Sequence, residues 1–335
     1  MKKLIVLVVA MVMVATSAYA AEWNFYGSAR VMTWWTTAEA TGAADVDAFN
    51  MAQQGNSRIG AKVKVSDELS GHFEYGNGID SRIIYGEWNF GGGSLLIGQT
   101  YSPLCMFYSN QVYDEDYGMI VWGAAYSGRN PMIRLTYGDF EVALLPVSAS
   151  DVVDSGTSAT EISSPAIEAS YGIKFGNLGL KIAGGYQTYE INDGTTSWDI
   201  DSYVIALGAS FNVGPGYIKA TGYTGENPGG LISSWVGGGA TTTGTVVNNR
   251  EQVGFMVAMG GKFNDMLSVE FGYGQVRSEL DNVALSDDDV KTYYAQAAIT
   301  VAPGVYIIPE IGVIDNEEAG TTETTYFGAK WQINF

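Results

Sequence analysis

The sequence predicts an all-β protein, a transmembrane antiparallel β-barrel of about sixteen strands with one loop folded into its interior. Two observations predict this fold. Apolar and polar residues alternate in strand-length segments along the chain, and an export signal precedes the first of them. Because successive side chains of a strand point to opposite faces, each segment has one wall suited to lipid and one suited to water. A soluble sandwich could show the alternation once, but its recurrence behind a signal favours the barrel.

The first twenty residues have the organisation of a cleaved secretory signal. Lys2 and Lys3 precede an apolar stretch at 4–15, and Ala-Tyr-Ala at 18–20 is a small-residue cleavage motif. The apolar stretch is too short to cross a bilayer as a helix, which disfavours a retained N-terminal anchor. We therefore expect residues 1–20 to be removed. Residues 21–335 should form one barrel domain, because no charge block or Pro/Ser-rich linker marks a boundary.

Residues 325–335 alternate without a break and end on an aromatic side chain. One face carries Thr325, Phe327, Ala329, Trp331, Ile333 and Phe335. Such segments are separated by short connections with turn-forming residues, at 66–68, 91–93, 138–139, 176–177, 214–216, 264–265 and 302–304. Long polar connections alternate with them, at 38–50, 148–164, 190–200, 225–248, 277–289 and 315–322. This arrangement predicts short turns at one end of the barrel and long loops at the other.

The composition restricts the class of protein further. The formal charge is −19, or −21 without Lys2 and Lys3, and so acidic a chain argues against a nucleic-acid partner. The 43 glycines and 13% aromatic residues suit tight turns and aromatic belts at the membrane interfaces. We expect the belts to include Trp23, Trp34, Trp35, Trp88 and Trp331. Cys105 is the only cysteine, so no intrachain disulfide forms, and a packed apolar role is expected for it.

Residues 101–127 lack strand character and combine acidic with apolar residues. The acids Asp114, Glu115 and Asp116 stand among the apolar residues Met106, Phe107, Met119, Ile120 and Trp122. An external loop has little reason to carry so much apolar surface. We therefore expect this loop to fold into the barrel, with its apolar side on the wall and its acids toward the water. The alternative is a solvated acidic run on an outer loop.

Cationic residues cluster on the predicted lumen face in the first part of the chain. They are Arg30, Arg58, Lys62, Lys64 and Arg82, with Arg129 and Arg134 directly after the acidic loop. An acidic strip facing a basic strip across a narrow opening would create a transverse field, which orients dipolar solutes and limits apolar ones. The alternative for each arginine is a local ion pair with a carboxylate on a neighbouring strand.

Several of these segments resemble Gram-negative general porins. Gly-Asn-Ser-Arg-Ile-Gly at 55–60 resembles the family's second strand, and Ser-Arg-Ile-Ile-Tyr-Gly at 81–86 its fourth. Asp-Glu-Asp-Tyr-Gly at 114–118 resembles the acidic motif of the constriction loop, although the usual proline before it is missing. The terminal Phe335 resembles the family's assembly signal. The resemblance implies a homotrimeric outer-membrane porin with Arg58, Arg82 and Arg129 as its cationic strip, Arg134 being a rival for the third position.

These observations predict a passive channel for small hydrophilic solutes and ions in the outer membrane of a Gram-negative bacterium. The acidic total favours a modest cation preference, which the basic lumen cluster could reverse. A substrate-specific channel for an organic or inorganic anion, and a structural or adhesive barrel, are the alternatives.

No enzymatic activity, cofactor or metal centre is expected, because the only histidine, His72, has no nucleophile motif and no soft metal ligands beside it. Lipid and lipopolysaccharide are the expected surroundings. The acids at 287–289 and 317–318 are either solvated charges or carboxylates that share divalent cations with lipopolysaccharide phosphates.

Overall fold

The fold is a closed antiparallel barrel of sixteen strands, confirming the predicted class. The computed structural model describes residues 21–40, 42–149, 152–153, 159–283, 288–316 and 322–335. The predicted signal at 1–20 lies outside these residues, as do Asp287, Glu317 and Glu318. The first strand pairs with the last over thirteen residue pairs, from Ser28 with Asn334 to Ala40 with Thr322. This pairing leaves neither strand with an open edge.

The strands are numbered β1 to β16 in chain order. They span Glu22–Ala40, Val46–Gln53 with Arg58–Lys64, Leu69–Gly76, Ser81–Asn89, Ser94–Tyr101, Arg129–Tyr137, Phe140–Leu145, Ala166–Phe175, Leu178–Asn192, Ser197–Val213, Gly216–Glu226, Arg250–Lys262, Leu267–Leu280, Asp288–Ala302, Val305–Asn316 and Thr322–Asn334. The two segments of β2 pair with successive parts of β1 and count as one strand. Ala159–Glu161 continues the pairing of β8 with β9. Val152–Val153, Thr241–Thr243 and Val246–Asn248 form a small separate sheet, and Tyr113–Asp116 and Pro228–Gly230 are short helical turns.

All seven predicted short turns connect successive strands at one end, here called the short-turn end. The predicted long loops lie at the other end, but four of them are shorter than expected. Strands β13 and β14 leave 281–287 between them, and β15 and β16 leave 317–321. Strands β1 and β2 leave only 41–45 between them, and β9 and β10 leave only 193–196. The sequence prediction ended these strands too early, because their polar tips still pair with each other. For example, β1 pairs with β2 as far as Ala38 with Val46, and β9 pairs with β10 as far as Asn192 with Ser197. A further connection at 77–80, between β3 and β4, was not predicted.

The predicted alternation of the strands is confirmed by their exposure. On β16, Phe327, Trp331 and Ile333 are about half exposed on the outer wall, whereas Tyr326 and Lys330 are buried inside. The prediction was wrong for Trp34, which is 2% exposed and lies within the barrel. Its ring contacts Tyr113 and Tyr326 edge-on, so it packs against the inner loop instead of marking a membrane interface.

A buried apolar core fills part of the barrel interior. Residues 102–128, here called the inner loop, enter the barrel and place Met119, Trp122 and Ala124 against inward side chains of β12 to β16. Residues 227–249, here called the capping loop, cover the inner loop from the long-loop end. Ser233 and Trp235 donate backbone hydrogen bonds to the carbonyls of Tyr126 and Val121, at 2.8 and 2.9 Å. Beside β1 to β6 the cross-section is more open.

The described residues include no helix that is long and apolar enough to cross a membrane.

Candidate functional site

The inner loop lies close against the wall because glycines occupy the contact on both the loop and the wall. Gly123 has a φ of +101°, and a Cβ there would overlap the carbonyl of Phe255. On the wall, a Cβ at Gly274 would overlap the carbonyl of Trp122. The loop therefore follows the wall of β12 and β13 with its backbone in direct contact. Its inward position was predicted from its apolar content, but the backbone contact was not.

Three buried wall glutamates accept hydrogen bonds from the backbone of the inner loop. Glu168 accepts from the N–H of Leu104 at 3.0 Å, Glu270 from that of Asn110 at 2.6 Å, and Glu310 from that of Val112 at 2.7 Å. A buried backbone N–H without an acceptor is energetically costly, so these carboxylates supply the hydrogen-bond acceptors that a neighbouring strand would otherwise provide. Wall tyrosines complete the network: Tyr294 donates to Glu270, and Tyr326 donates to Glu310 at 2.8 Å.

The acidic run touches the wall at β1, β2 and β16. Asp116 forms ion pairs with Arg30 and with Lys330, the latter at 2.8 Å. Glu115 accepts a hydrogen bond from the backbone N–H of Gly55, in the break between the two segments of β2. The carbonyl of Asp114 accepts from the Gln54 amide at 2.5 Å. The prediction had the acids face the cations across a narrow opening. At Asp116 there is no such opening, because its carboxylate contacts Arg30 and Lys330 directly.

Two of the predicted cations share one carboxylate on the wall. Glu74 on β3 accepts from Arg82 Nε at 2.8 Å, and Arg58 Nη1 lies 3.5 Å from the same oxygen. Tyr26 donates to the other Glu74 oxygen at 2.7 Å, and its hydroxyl also lies 2.7 Å from His72 Nε2. For these two arginines the structure shows the local ion pair that the sequence left open. Two cations on one carboxylate still leave positive charge at the surface.

The structure places Arg129 and Arg134 differently. The Arg129 guanidinium lies 5.6 Å from the centre of the Tyr101 ring, which is cation–π distance, and donates to that hydroxyl at 3.3 Å. Arg134 lies further along β6 and pairs with Glu141 on β7 at 3.8 Å. Of the two arginines, only Arg129 borders the cavity between the inner loop and the wall of β1 to β6, which is described next. Lys62 on β2 is exposed and does not border that cavity, so it does not belong to the group of cations around it.

A cavity of about 710 Å³, here called the upper cavity, lies between the inner loop and the wall of β1 to β6. Its charged lining residues are the cations Arg30, Arg58, Arg82, Arg129 and Lys330 and the acids Asp80, Glu115 and Asp116. The aromatic rings of Tyr101, Phe107, Tyr117 and Tyr126 also border it. Cations therefore outnumber carboxylates at this surface although the whole chain is acidic.

A second cavity of about 480 Å³, here called the lower cavity, reaches the short-turn end, where Pro215 and Asn264 border it. Asn110 and Lys330 belong to the linings of both cavities. The two spaces therefore adjoin at these residues beside the inner loop. The upper cavity extends to Asn77 and Asp80 at the long-loop end, and the lower cavity extends to the short-turn end.

Contact with the wall perturbs two loop acids. Burial raises the pKa of the Asp114 carboxyl, against a hydrogen bond from Tyr117. Burial also raises the pKa of the Glu115 carboxyl above its usual 4.5, and the hydrogen bond from Gly55 opposes the shift in part. Both groups therefore bind protons at a higher pH than free carboxyls do.

Sequence reasoning missed several residues of this site. Lys330 alternates with the outward residues of the last strand and so belongs to its polar face, but nothing in the sequence links it to the cluster. Closure of the barrel sets it opposite Met32, next to Arg30. Glu74 and Gln54 were not singled out because their roles depend on which strand and loop atoms face them. The described residues contain no cluster of His, Cys, Asp and Glu that could hold a metal ion.

Comparisons with solved structures find similar barrels. The outer membrane channel DcaP of Acinetobacter baumannii has a TM-score of 0.73 and 17% identity, covering 94% of this chain and 97% of that one. An anion-selective porin from Comamonas acidovorans has a TM-score of 0.61 and 13% identity over 94% and 100%. The trimer form of OmpT, an outer membrane protein of Vibrio cholerae, gives 0.60 and 16% over 94% and 100%. The likeness establishes a porin-like barrel fold. No protein-family model matches the sequence, and no curated protein matches it.

Proposed function

We propose that this barrel is a passive channel for small hydrophilic solutes and ions in the outer membrane of a Gram-negative bacterium, and that it prefers anions. The observation that carries the proposal is the upper cavity, where cationic side chains outnumber carboxylates at the contact between loop and wall. Ions in a narrow pore respond to the charges that line it much more than to distant surface charges, which salt screens. The acidic total of the chain therefore does not set the preference.

The constriction in this proposal consists of Asp114, Glu115 and Asp116 with Arg30, Arg58, Arg82, Arg129 and Lys330. Arg134 and Lys62 are outside it. Barrels of this fold that are described as a channel and as an anion-selective porin support the assignment. A homotrimer is the proposed assembly, since a similar barrel is described in a trimer form. Residues 1–20 would serve as the export signal, Phe335 as the assembly signal, and lipid with lipopolysaccharide as the surroundings.

Single-channel recording in a planar bilayer with a salt gradient tests the proposal. We expect conductance that closes in three equal steps, and a reversal potential of the sign that anion flow produces. A folded barrel without conductance would contradict the channel and favour a structural or adhesive role. A reversal potential of the opposite sign would contradict the anion preference alone.

One observation favours a substrate-specific anion channel as the second candidate. The aromatic rings of the upper cavity stand beside its arginines, and Arg129 already lies over the Tyr101 ring. Such a surface could hold an anion with an apolar body. Conductance that saturates with one organic anion, while chloride conductance stays linear in concentration, would favour this candidate over general diffusion.

The raised pKa of Glu115 predicts how selectivity changes with pH. The folded protein favours the protonated carboxyl, so Glu115 loses its charge as the pH falls, beginning above its usual 4.5. Loss of this negative charge should raise anion preference by roughly two- to fourfold, from the Coulomb energy of one charge about 10 Å away in water. The same protonation should stabilise the seated loop, because the charged form is the one that burial disfavours.

Reversal potentials measured between pH 7 and 4 check this prediction. The Glu115→Gln variant should show higher anion preference at neutral pH and a weaker response to acid than the unmodified protein. An acid response as large in Glu115→Gln as in the unmodified protein would assign the effect to another group.

A further inference from the structure

Lys330 lies between the upper and the lower cavity. It projects from β16 into the barrel, its side chain is 9% exposed, and it borders both the upper and the lower cavity. Asn110, the other shared residue, uses its side-chain amide to donate to Glu270 at 2.6 Å and to the Tyr217 hydroxyl at 3.1 Å. Of the charged side chains that line the two cavities, Lys330 alone belongs to both.

The ion pair between Lys330 and Asp116 leaves positive charge at this junction. Asp116 also pairs with Arg30, so one carboxylate is shared between two cations. Asp116 Oδ1 lies 2.8 Å from Lys330 Nζ, while Asp116 Oδ2 contacts Arg30, so each carboxylate oxygen faces one cation.

The lower cavity depends on Lys330 for its balance of charge. Its other cation, Lys262, pairs with Asp265 at 2.8 Å on the short turn, and Glu270 also borders the space. With Lys330, the lining holds two cations and two carboxylates; without it, carboxylates would predominate. An anion leaving the arginines of the upper cavity would then enter a space of its own sign, which repels it.

We infer that Lys330 is an anion-transfer site that passes small anions such as chloride or carboxylates between the upper and the lower cavity, and so determines the selectivity of the channel at its exit. This inference rests on the proposed channel function and extends it from the arginines of the upper cavity to a lysine on the last strand. The passing anion replaces Asp116 as the partner of the ammonium group, and the pair re-forms behind it.

Substitution of Lys330 tests the inference. Lys330→Met keeps most of the apolar stem and removes the charge, and it should lower the anion-to-cation permeability ratio by roughly two- to fourfold. Lys330→Arg should restore the ratio. Lys62→Met is the matched control, since Lys62 borders neither cavity. This substitution should leave the ratio unchanged. Reversal potentials in a KCl gradient give the ratio, and circular dichroism shows that each barrel has folded.

Asp116→Asn supplies a test in the opposite direction. Removing the carboxylate that competes for Lys330 should raise the anion preference, and it should do so less when Lys330→Met is also present. An unchanged ratio in Lys330→Met, or an equal fall in Lys62→Met, would overturn the inference while leaving the channel itself intact. Absence of conductance in the unmodified protein would instead refute the proposed function.

Discussion

Replacing Arg129 with glutamate is expected to abolish the proposed anion preference. The change removes one positive charge from the upper cavity and adds one negative charge, which makes the numbers of cations and carboxylates in its lining equal. One charge about 10 Å from an ion in water contributes roughly 0.4 kcal/mol, with opposite signs for anions and cations. Two units of charge should therefore lower the permeability ratio by roughly four- to sixteenfold, less at high salt.

The structure offers a matched control on the same strand. Arg129→Gln and Arg134→Gln each remove one positive charge, but only Arg129 lines the upper cavity. We expect Arg129→Gln to lower the reversal potential. Arg134→Gln should leave it almost unchanged, because Arg134 pairs with Glu141 and does not line the upper cavity. A larger effect at Arg134 would exchange the roles assigned to the two arginines. Equal effects would mean that the lumen field is not concentrated at the upper cavity.

Replacing Glu270 and Glu310 together with leucine is expected to release the inner loop and increase conductance. Each carboxylate accepts a hydrogen bond from a loop amide and another from a wall tyrosine. Leucine keeps a similar volume but leaves these buried donors without a partner, at a cost of about 1–3 kcal/mol for each donor. Release of the segment around Asn110 and Val112 would move the acidic run away from the cations and widen the opening.

Glutamine variants at the same two positions distinguish the hydrogen bonds from the charge. Glu270→Gln with Glu310→Gln retains an oxygen that can accept from the loop amides, so the conductance should stay closer to that of the unmodified protein. Denaturant unfolding in detergent gives the loss of stability, and single-channel recording gives the conductance. A leucine double variant that is less stable yet unchanged in conductance would show that the apolar core alone holds the loop.

The strands and turns could be predicted because each depends on its own residues. The alternation on residues 325–335 fixes which side chains face outward, and turns such as Gly138-Asp139 contain the residues that tight turns need. The loops at 41–45 and 193–196 were predicted too long, because the polar strand tips at the long-loop end have the composition of loops and only cross-strand pairing extends them.

The position of the inner loop was predictable in outline, and its attachments were not. Apolar residues such as Trp122 within a strand-free segment indicated that the loop packs inside the barrel. The glutamates that hold it come from β8, β13 and β15, and nothing in the local sequence of Glu168, Glu270 or Glu310 differs from that of any other lumen acid. Their role arises only when the loop backbone approaches them.

By itself the sequence determined the all-β class, the short turns, the inward loop and most of the cationic residues that line the upper cavity. These properties follow from side-chain periodicity and residue type, which are local. Only the tertiary structure decided that Arg129 and not Arg134 lines the upper cavity, that Glu74 serves two arginines, and that Lys330 completes the cluster. These contacts depend on strand register and on barrel closure, which brings residues from opposite ends of the chain to neighbouring positions.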